Sequence, residues 1–81
     1  MNKELNLSQI NDNSLVVITK IEGLDLKIHK RLIELGFVLN TKIKIIKNNK
    51  KSKIMLVGLR GYVLSLDFFI ASKIFVIGET E

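Results

Sequence analysis

Apolar and polar residues alternate along most of this chain with the two-residue period of a β-strand. Segments rich in β-branched and aliphatic residues, separated by polar turns, predict strands at residues 15–21, 41–47, 54–59, 62–66 and 74–77. In the strand that starts at Thr41, lysine alternates with isoleucine, so one side of that strand is basic and the other is apolar. The polar residues 48–52 that follow predict the loop of a hairpin.

Between the first and second strands the period changes to that of an α-helix. Ile28, Leu32 and Leu35 fall at positions i, i+4 and i+7, which places them on one face. Asp25 is positioned to cap the helix N-terminus, and Gly36 stands where a left-handed residue commonly ends a helix. The sequence therefore predicts one helix from Asp25 to Leu35.

The order of elements is strand, helix and then four strands, with a short helical turn expected from Asp67 to Ala71. The fold class is mainly β, with one α-helix inserted after the first strand. Five short strands in so few residues favour a closed or nearly closed small barrel, because closure removes exposed strand edges. A chain of 81 residues is long enough for a single domain, which we assign to residues 1–81.

Composition excludes several classes of protein. Apolar residues make up 47% of the chain, as in ordinary globular proteins, and the absence of cysteine rules out disulfides and thiolate metal sites. No N-terminal segment has the apolar length of a signal peptide, and no apolar run approaches the roughly 20 residues that span a bilayer. We expect a soluble, cytoplasmic protein.

Positive charge is concentrated in one segment. The net charge is +5, and residues 42–53 contain six lysines and no acidic residue. Such a ridge is compatible with nucleic acid, an acidic membrane face or an acidic partner protein. Sites for single-stranded nucleic acid usually add aromatic residues that stack on bases, and this segment has none. A solvated edge that blocks strand aggregation is therefore preferred over nucleic-acid binding.

Catalytic chemistry has no constellation of residues to support it. The sole histidine, His29, stands four residues after Asp25, so the two side chains share a helix face and are weak candidates for a metal site. Two ligands do not make a metal site, and the alternative is a helix cap beside a solvated histidine. The glycines match no phosphate-binding or dinucleotide-binding motif. We predict no enzyme activity, no metal site and no cofactor.

Hydrophobic residues exceed what a small barrel can bury. On the helix, Leu26 and Ile33 lie on a second face, and Phe37 follows directly after it. An exposed apolar patch normally marks a partner surface, although a folded-back terminus could instead cover this face. The residues predicted to contact a partner, with two lysines as a supporting charged edge, are Leu26, Lys30, Ile33, Phe37, Lys44 and Lys47.

Two blocks of the sequence resemble a known family. Residues 30–37, Lys-Arg-Leu-Ile-Glu-Leu-Gly-Phe, closely resemble the helix-to-turn signature of the ferrous iron transport protein A (FeoA) family. Residues 59–66 resemble its Arg-Gly-Tyr strand, and the likeness extends from about Leu7 to Ile77. The chain departs from the family pattern at Leu39 and Asn40, where Pro-Gly is usual, and at Asn13, where a glycine is usual. Asparagine can replace glycine in a left-handed turn.

The resemblance implies an SH3-like barrel and a non-catalytic, cytosolic accessory role in bacterial ferrous iron uptake. The expected partner is the cytoplasmic, GTPase-bearing part of the membrane iron permease FeoB, which the protein would bind and modulate. Membrane contact is expected only through that partner, and the apolar patch suggests weak self-association. The alternatives are a regulatory domain related to iron-dependent repressors and a small basic barrel that binds nucleic acid.

Overall fold

Six strands pair into one antiparallel sheet within residues 3–78, the part of the chain that the computed structural model describes. The strands, in chain order, are β1 (Leu5–Asn6), β2 (Leu15–Ile21), β3 (Lys42–Asn49), β4 (Ile54–Leu59), β5 (Tyr62–Asp67) and β6 (Ile74–Gly78). Their order across the sheet is β1-β6-β2-β3-β4-β5. The first and last few residues of the predicted domain lie outside the described part.

Helix α1 (Leu26–Leu35) connects β2 to β3 and begins and ends where the sequence predicts. The Asp25 carboxylate accepts a hydrogen bond of 2.9 Å from the Ile28 amide, which satisfies one free donor of the first turn. Gly36 closes the helix with a φ of 106°, a conformation that suits glycine. No helix within residues 3–78 is long and apolar enough to cross a membrane.

The short helical turn predicted after β5 is also present. Helix α2 (Phe68–Ala71) follows β5, and Asp67 caps it by accepting a hydrogen bond of 2.9 Å from the Ile70 amide. A single 3₁₀ turn (Leu7–Gln9) follows β1, with Asn6 as its cap.

One hydrophobic core is shared by the sheet and both helices. Its buried residues come from the 3₁₀ turn, α1, α2 and five of the strands, and include Leu7, Val16, Ile18, Leu32, Ile43, Ile45, Met55, Val57, Leu66, Ala71, Ile74 and Val76. Because one face of each of these strands reaches the same core, the sheet curves around it. This confirms the mainly β fold with one inserted helix. The difference from the prediction is the two-residue strand β1, which pairs with β6 and adds a sixth strand to the five expected.

A bulge in β3 changes which residues face the core. The register of β3 against β4 shifts between Ile45 and Lys47, so Ile46 and Lys47 both face solvent. The next residue, Asn48, consequently turns inward. Its side-chain amide donates to the carbonyl oxygens of Ser8 and Ile10 at 3.0 and 2.7 Å. The prediction that Asn48 begins a polar loop is therefore wrong, because the bulge extends β3 and buries this side chain.

Candidate docking surface on helix α1

Helix α1 forms a ridge on the surface of the domain. Leu32 anchors one side of the helix in the core. On the opposite side, Leu26 is 82% exposed and Ile33 is 50% exposed, and the two residues stand seven positions apart on one stripe of the helix. The helix thus has a second apolar face that the described part of the chain does not cover.

A groove runs along the first side of this ridge, between α1 and β5. Its volume is about 620 Å³. The apolar lining comes from α1, β5 and α2 and consists of Ile28, Leu32, Leu35, Leu64, Leu66 and Ile70. Strand β5 is an edge strand of the sheet within residues 3–78, and Leu64, Ser65 and Leu66 of this strand line the groove. An apolar channel beside an open strand edge can accept a peptide segment or the side of a helix.

The rim of this groove is basic. It carries Lys27, Lys30 and Arg31, with Glu34 as the one acidic neighbour among the lining residues. Within residues 3–78, none of the three cations lies within ion-pair distance of a carboxylate. The rim therefore presents positive charge that is available to an external acidic group.

A second depression lies on the other side of the ridge. Its volume is about 350 Å³, and its lining includes His29 and Ile33 from α1 and Val38 and Leu39 from the following turn. Leu39 is 60% exposed. Together the groove, the outer stripe of α1 and this depression make a continuous surface, which we call the α1 surface.

The structure groups some of the predicted contact residues and separates others. Leu26, Lys30 and Ile33 all belong to the α1 surface. Lys44 and Lys47 lie on the outward side of β3 and line neither depression beside α1. The Lys47 ammonium lies 3.6 Å from the Asp12 carboxylate, and the two side chains are 62% and 40% exposed, so this pair adds little stability.

The sequence predicts that Phe37 is exposed, and that prediction is wrong. Its side chain is 0% exposed and is among the largest fully buried side chains of the core. The left-handed Gly36 reverses the chain, and the Phe37 amide then donates to the Leu32 carbonyl at 2.9 Å, which directs the ring inward. Leu39 provides the exposed apolar group that the sequence pattern predicts at Phe37. The sequence signal for this exposed residue is the leucine at position 39, where the family pattern usually has proline.

The two weak metal candidates lie at the start of α1. Asp25 uses its carboxylate to cap α1, and His29 lies half-buried beside Ile33. The described part of the chain contains no group of three or more histidine, cysteine, aspartate or glutamate residues arranged to hold a metal ion.

Solved structures place this domain in a class of small SH3-like β-domains. It resembles a manganese-dependent transcriptional repressor with a TM-score of 0.88 and 14% identity, covering 98% of this chain and 44% of the repressor chain. At that identity the likeness concerns the fold alone, and the chain spans less than half of the repressor's length. The FeoA protein from Chlorobium tepidum has a TM-score of 0.84 at 21% identity, covering 94% of this chain and 71% of that one.

A solved structure with higher sequence identity and a family sequence model identify the family within this class. The FeoA-like protein from Clostridium acetobutylicum is 28% identical over 100% of this chain and 93% of that chain, with a TM-score of 0.83. The sequence model of the FeoA domain matches residues 5–77, and this chain belongs to the FeoA domain family. A comparison with curated protein sequences finds no match.

Proposed function

We propose that this protein is a cytoplasmic accessory component of ferrous iron uptake that acts by binding, without catalysis of its own. Its partner would be the cytoplasmic, GTPase-bearing part of the membrane iron permease FeoB, and binding would change the activity of that GTPase. Membership of the FeoA domain family supports the iron-uptake context. A crystal structure with the same fold belongs to an iron uptake regulatory protein named FeoA.

The observation that carries the proposal is the uncovered apolar face of α1. Leu26 and Ile33 expose large aliphatic side chains on a helix whose other face is already anchored in the core. Burying such a side chain against a partner is worth about 1.5–3 kcal/mol when burial is complete. Two or three anchors of this size at the centre of an interface are enough to dominate binding.

The charges beside this face add specificity to the proposed interface. Lys27 and Lys30 stand on the rim of the α1–β5 groove without ion-pair partners among the described residues. A partner segment that places apolar side chains in the groove and carboxylates against the rim would satisfy both parts of the surface. Rim charges act mainly on the association rate and on its dependence on salt.

The proposal is tested by titrating the protein against the purified cytoplasmic domain of the permease from the same organism. We expect saturable binding that Ile33→Glu weakens at least about tenfold, because a buried charge replaces an apolar anchor. Ile33 is half exposed, so the variant should keep its circular-dichroism spectrum and melting temperature. The rate of GTP hydrolysis by the permease domain, measured with and without the protein, reports whether binding modulates it.

Phe69→Glu is a matched control, because it makes the same kind of substitution at an exposed apolar side chain outside the α1 surface. This variant should bind the permease domain like the parent protein. Equal losses in Ile33→Glu and Phe69→Glu would argue against the α1 surface as the docking site. Absence of permease binding, together with salt-sensitive binding to single-stranded oligonucleotides, would instead identify a nucleic-acid-binding barrel.

A further inference from the structure

The outward side of the sheet carries a second apolar patch that the docking proposal does not use. Its aliphatic side chains are between 36% and 55% exposed and come from β2, β3, β4 and β5: Leu15, Ile46, Ile54, Leu56 and Val63. Most strand residues on the solvent side of a small domain are polar, so five aliphatic residues on one side form a patch rather than scattered exceptions.

Strand register places these side chains next to one another. Leu15 pairs with Lys44, and Lys44 pairs with Gly58 on the adjacent strand. Gly58 in turn pairs with Val63, so these four positions form one row across β2 to β5. The Cδ1 atom of Ile46 lies 3.4 Å from the position that a Cβ on residue 58 would take. Ile46 therefore fills the space over the glycine and joins the row to the next one.

Two further rows, through Leu56 and through Ile54, continue the patch toward the β3–β4 turn. Leu56 pairs with Lys47 on one side and with Ser65 on the other. Ile54 pairs with Asn49 and is the first residue of β4, directly after the turn. The patch is thus a strip of aliphatic side chains with lysines between them. We call it the outer sheet face.

Cations surround this strip with few carboxylates to balance them. All six lysines of residues 42–53 lie on β3 or in the β3–β4 turn, and all are exposed. Within the described chain, no carboxylate lies within ion-pair distance of Lys44, Lys50, Lys51 or Lys53. The nearby Asp67 uses its carboxylate to cap α2.

We propose that the outer sheet face rests on the surface of a bilayer that contains anionic phospholipids. Aliphatic side chains would enter the boundary between headgroups and acyl chains, and the lysines around them would reach the phosphate groups with their flexible stems. Each lysine near an anionic surface contributes about 1 kcal/mol, so four to six of them give useful attraction. The inference goes beyond the proposed permease binding, because lipid contact requires no permease.

Other occupants fit the outer sheet face less well. Nucleic acid would find aliphatic side chains where stacking aromatics are needed, with Tyr62 the one aromatic residue among those lining the shallow depression here. A second copy of this chain would bring the two lysine clusters together across a twofold axis. The depression between Lys44 and Val63 is broad and about 380 Å³ in volume, without the walls that hold a peptide.

The test is sedimentation of the full chain with vesicles of phosphatidylcholine alone or mixed with phosphatidylglycerol. We expect binding to the mixed vesicles that weakens as salt rises, and little binding to phosphatidylcholine alone. Lys44→Gln/Lys51→Gln should reduce the partition coefficient about thirty-fold, the effect of two lost lysines. Val63→Ser should reduce it as well at unchanged net charge, which a purely electrostatic contact would not do.

Lys27→Gln/Lys30→Gln is the charge-matched control on α1, and it should bind vesicles like the parent protein. Equal losses in the two double variants would overturn the proposal, because net charge alone would then explain binding. Failure to bind mixed vesicles would overturn it too, as would oligonucleotide binding that depends on Lys44 and Lys51 without vesicle binding. None of these assays contains the permease, so they are independent of the proposed function.

Discussion

Asn13 and Asn40 adopt left-handed backbone conformations, with φ of 63° and 70°. These are the two positions where the FeoA sequence pattern usually has glycine. Asparagine tolerates this region better than other residues with a side chain, since its short polar group can bond locally. At Asn40 the amide also donates to the Ile18 carbonyl at 2.8 Å, which ties the turn after α1 to β2. The replacements therefore preserve the turns, as the sequence predicts.

Asn48 is the polar side chain on which the junction between β3 and the N-terminal segment depends. It donates to two main-chain carbonyls, and its backbone amide donates to the Asp12 carboxylate at 2.6 Å. Asn48→Ala removes both side-chain bonds and leaves two carbonyls without donors. We expect the free energy of unfolding to fall by about 2 kcal/mol, measured by urea denaturation. Asn11→Ala, at an exposed position, should change it by less than about 0.5 kcal/mol.

A loss at Asn48 no larger than that at Asn11 would contradict this account. The role of Asn48 was not predictable from the sequence, because it depends on the bulge between Ile45 and Lys47. A polar residue next to a run of lysine and asparagine has the local pattern of a loop. The pairing of β3 with β4 shows that β3 contains one extra residue at the bulge. After that residue, the side chains that would have faced solvent face the core.

Some features of helix α1 are determined by the local sequence, and others by tertiary packing. Its cap at Asp25, its termination at Gly36 and its buried stripe through Leu32 are local signals, and all were predictable. The same pattern also indicates a second apolar face. The residues next to Phe37 in the sequence do not determine whether its side chain belongs to that face or to the core. Burial of Phe37 depends on packing against β-strands far along the chain. The groove beside β5 was unpredictable for the same reason.

The burial of Phe37 can be tested by substitution. Phe37→Ala removes a fully buried ring and should cost about 3–5 kcal/mol of folding free energy, measured by thermal or urea denaturation. A domain of this size is stable by only about 4–12 kcal/mol, so much of its stability would be lost. Phe37→Leu retains most of the apolar volume and should keep both the fold and permease binding. A stable Phe37→Ala protein with selectively lost binding would restore Phe37 as a direct contact.

At the scale of the whole molecule, strand β5 separates the two proposed surfaces. Leu64 faces the groove beside α1, whereas Val63 belongs to the outer sheet face. Neighbouring residues of a strand point to opposite sides, so one strand supports both surfaces without shared side chains. A domain with this geometry could contact a membrane-bound partner and the adjacent lipid surface together.

Because the surfaces do not share side chains, their contributions should be independent. We compare the Lys27→Gln/Lys30→Gln and Lys44→Gln/Lys51→Gln double variants with the quadruple variant that combines them. The quadruple variant should lose as much permease affinity as the first pair alone, and as much vesicle affinity as the second pair alone. Additivity within about 0.5 kcal/mol is normal for distant sites without common partners. A permease affinity lower in the quadruple variant than in the first pair would mean that one partner contacts both surfaces. Lys44 and Lys51 would then belong to the permease interface, as the sequence predicts for Lys44.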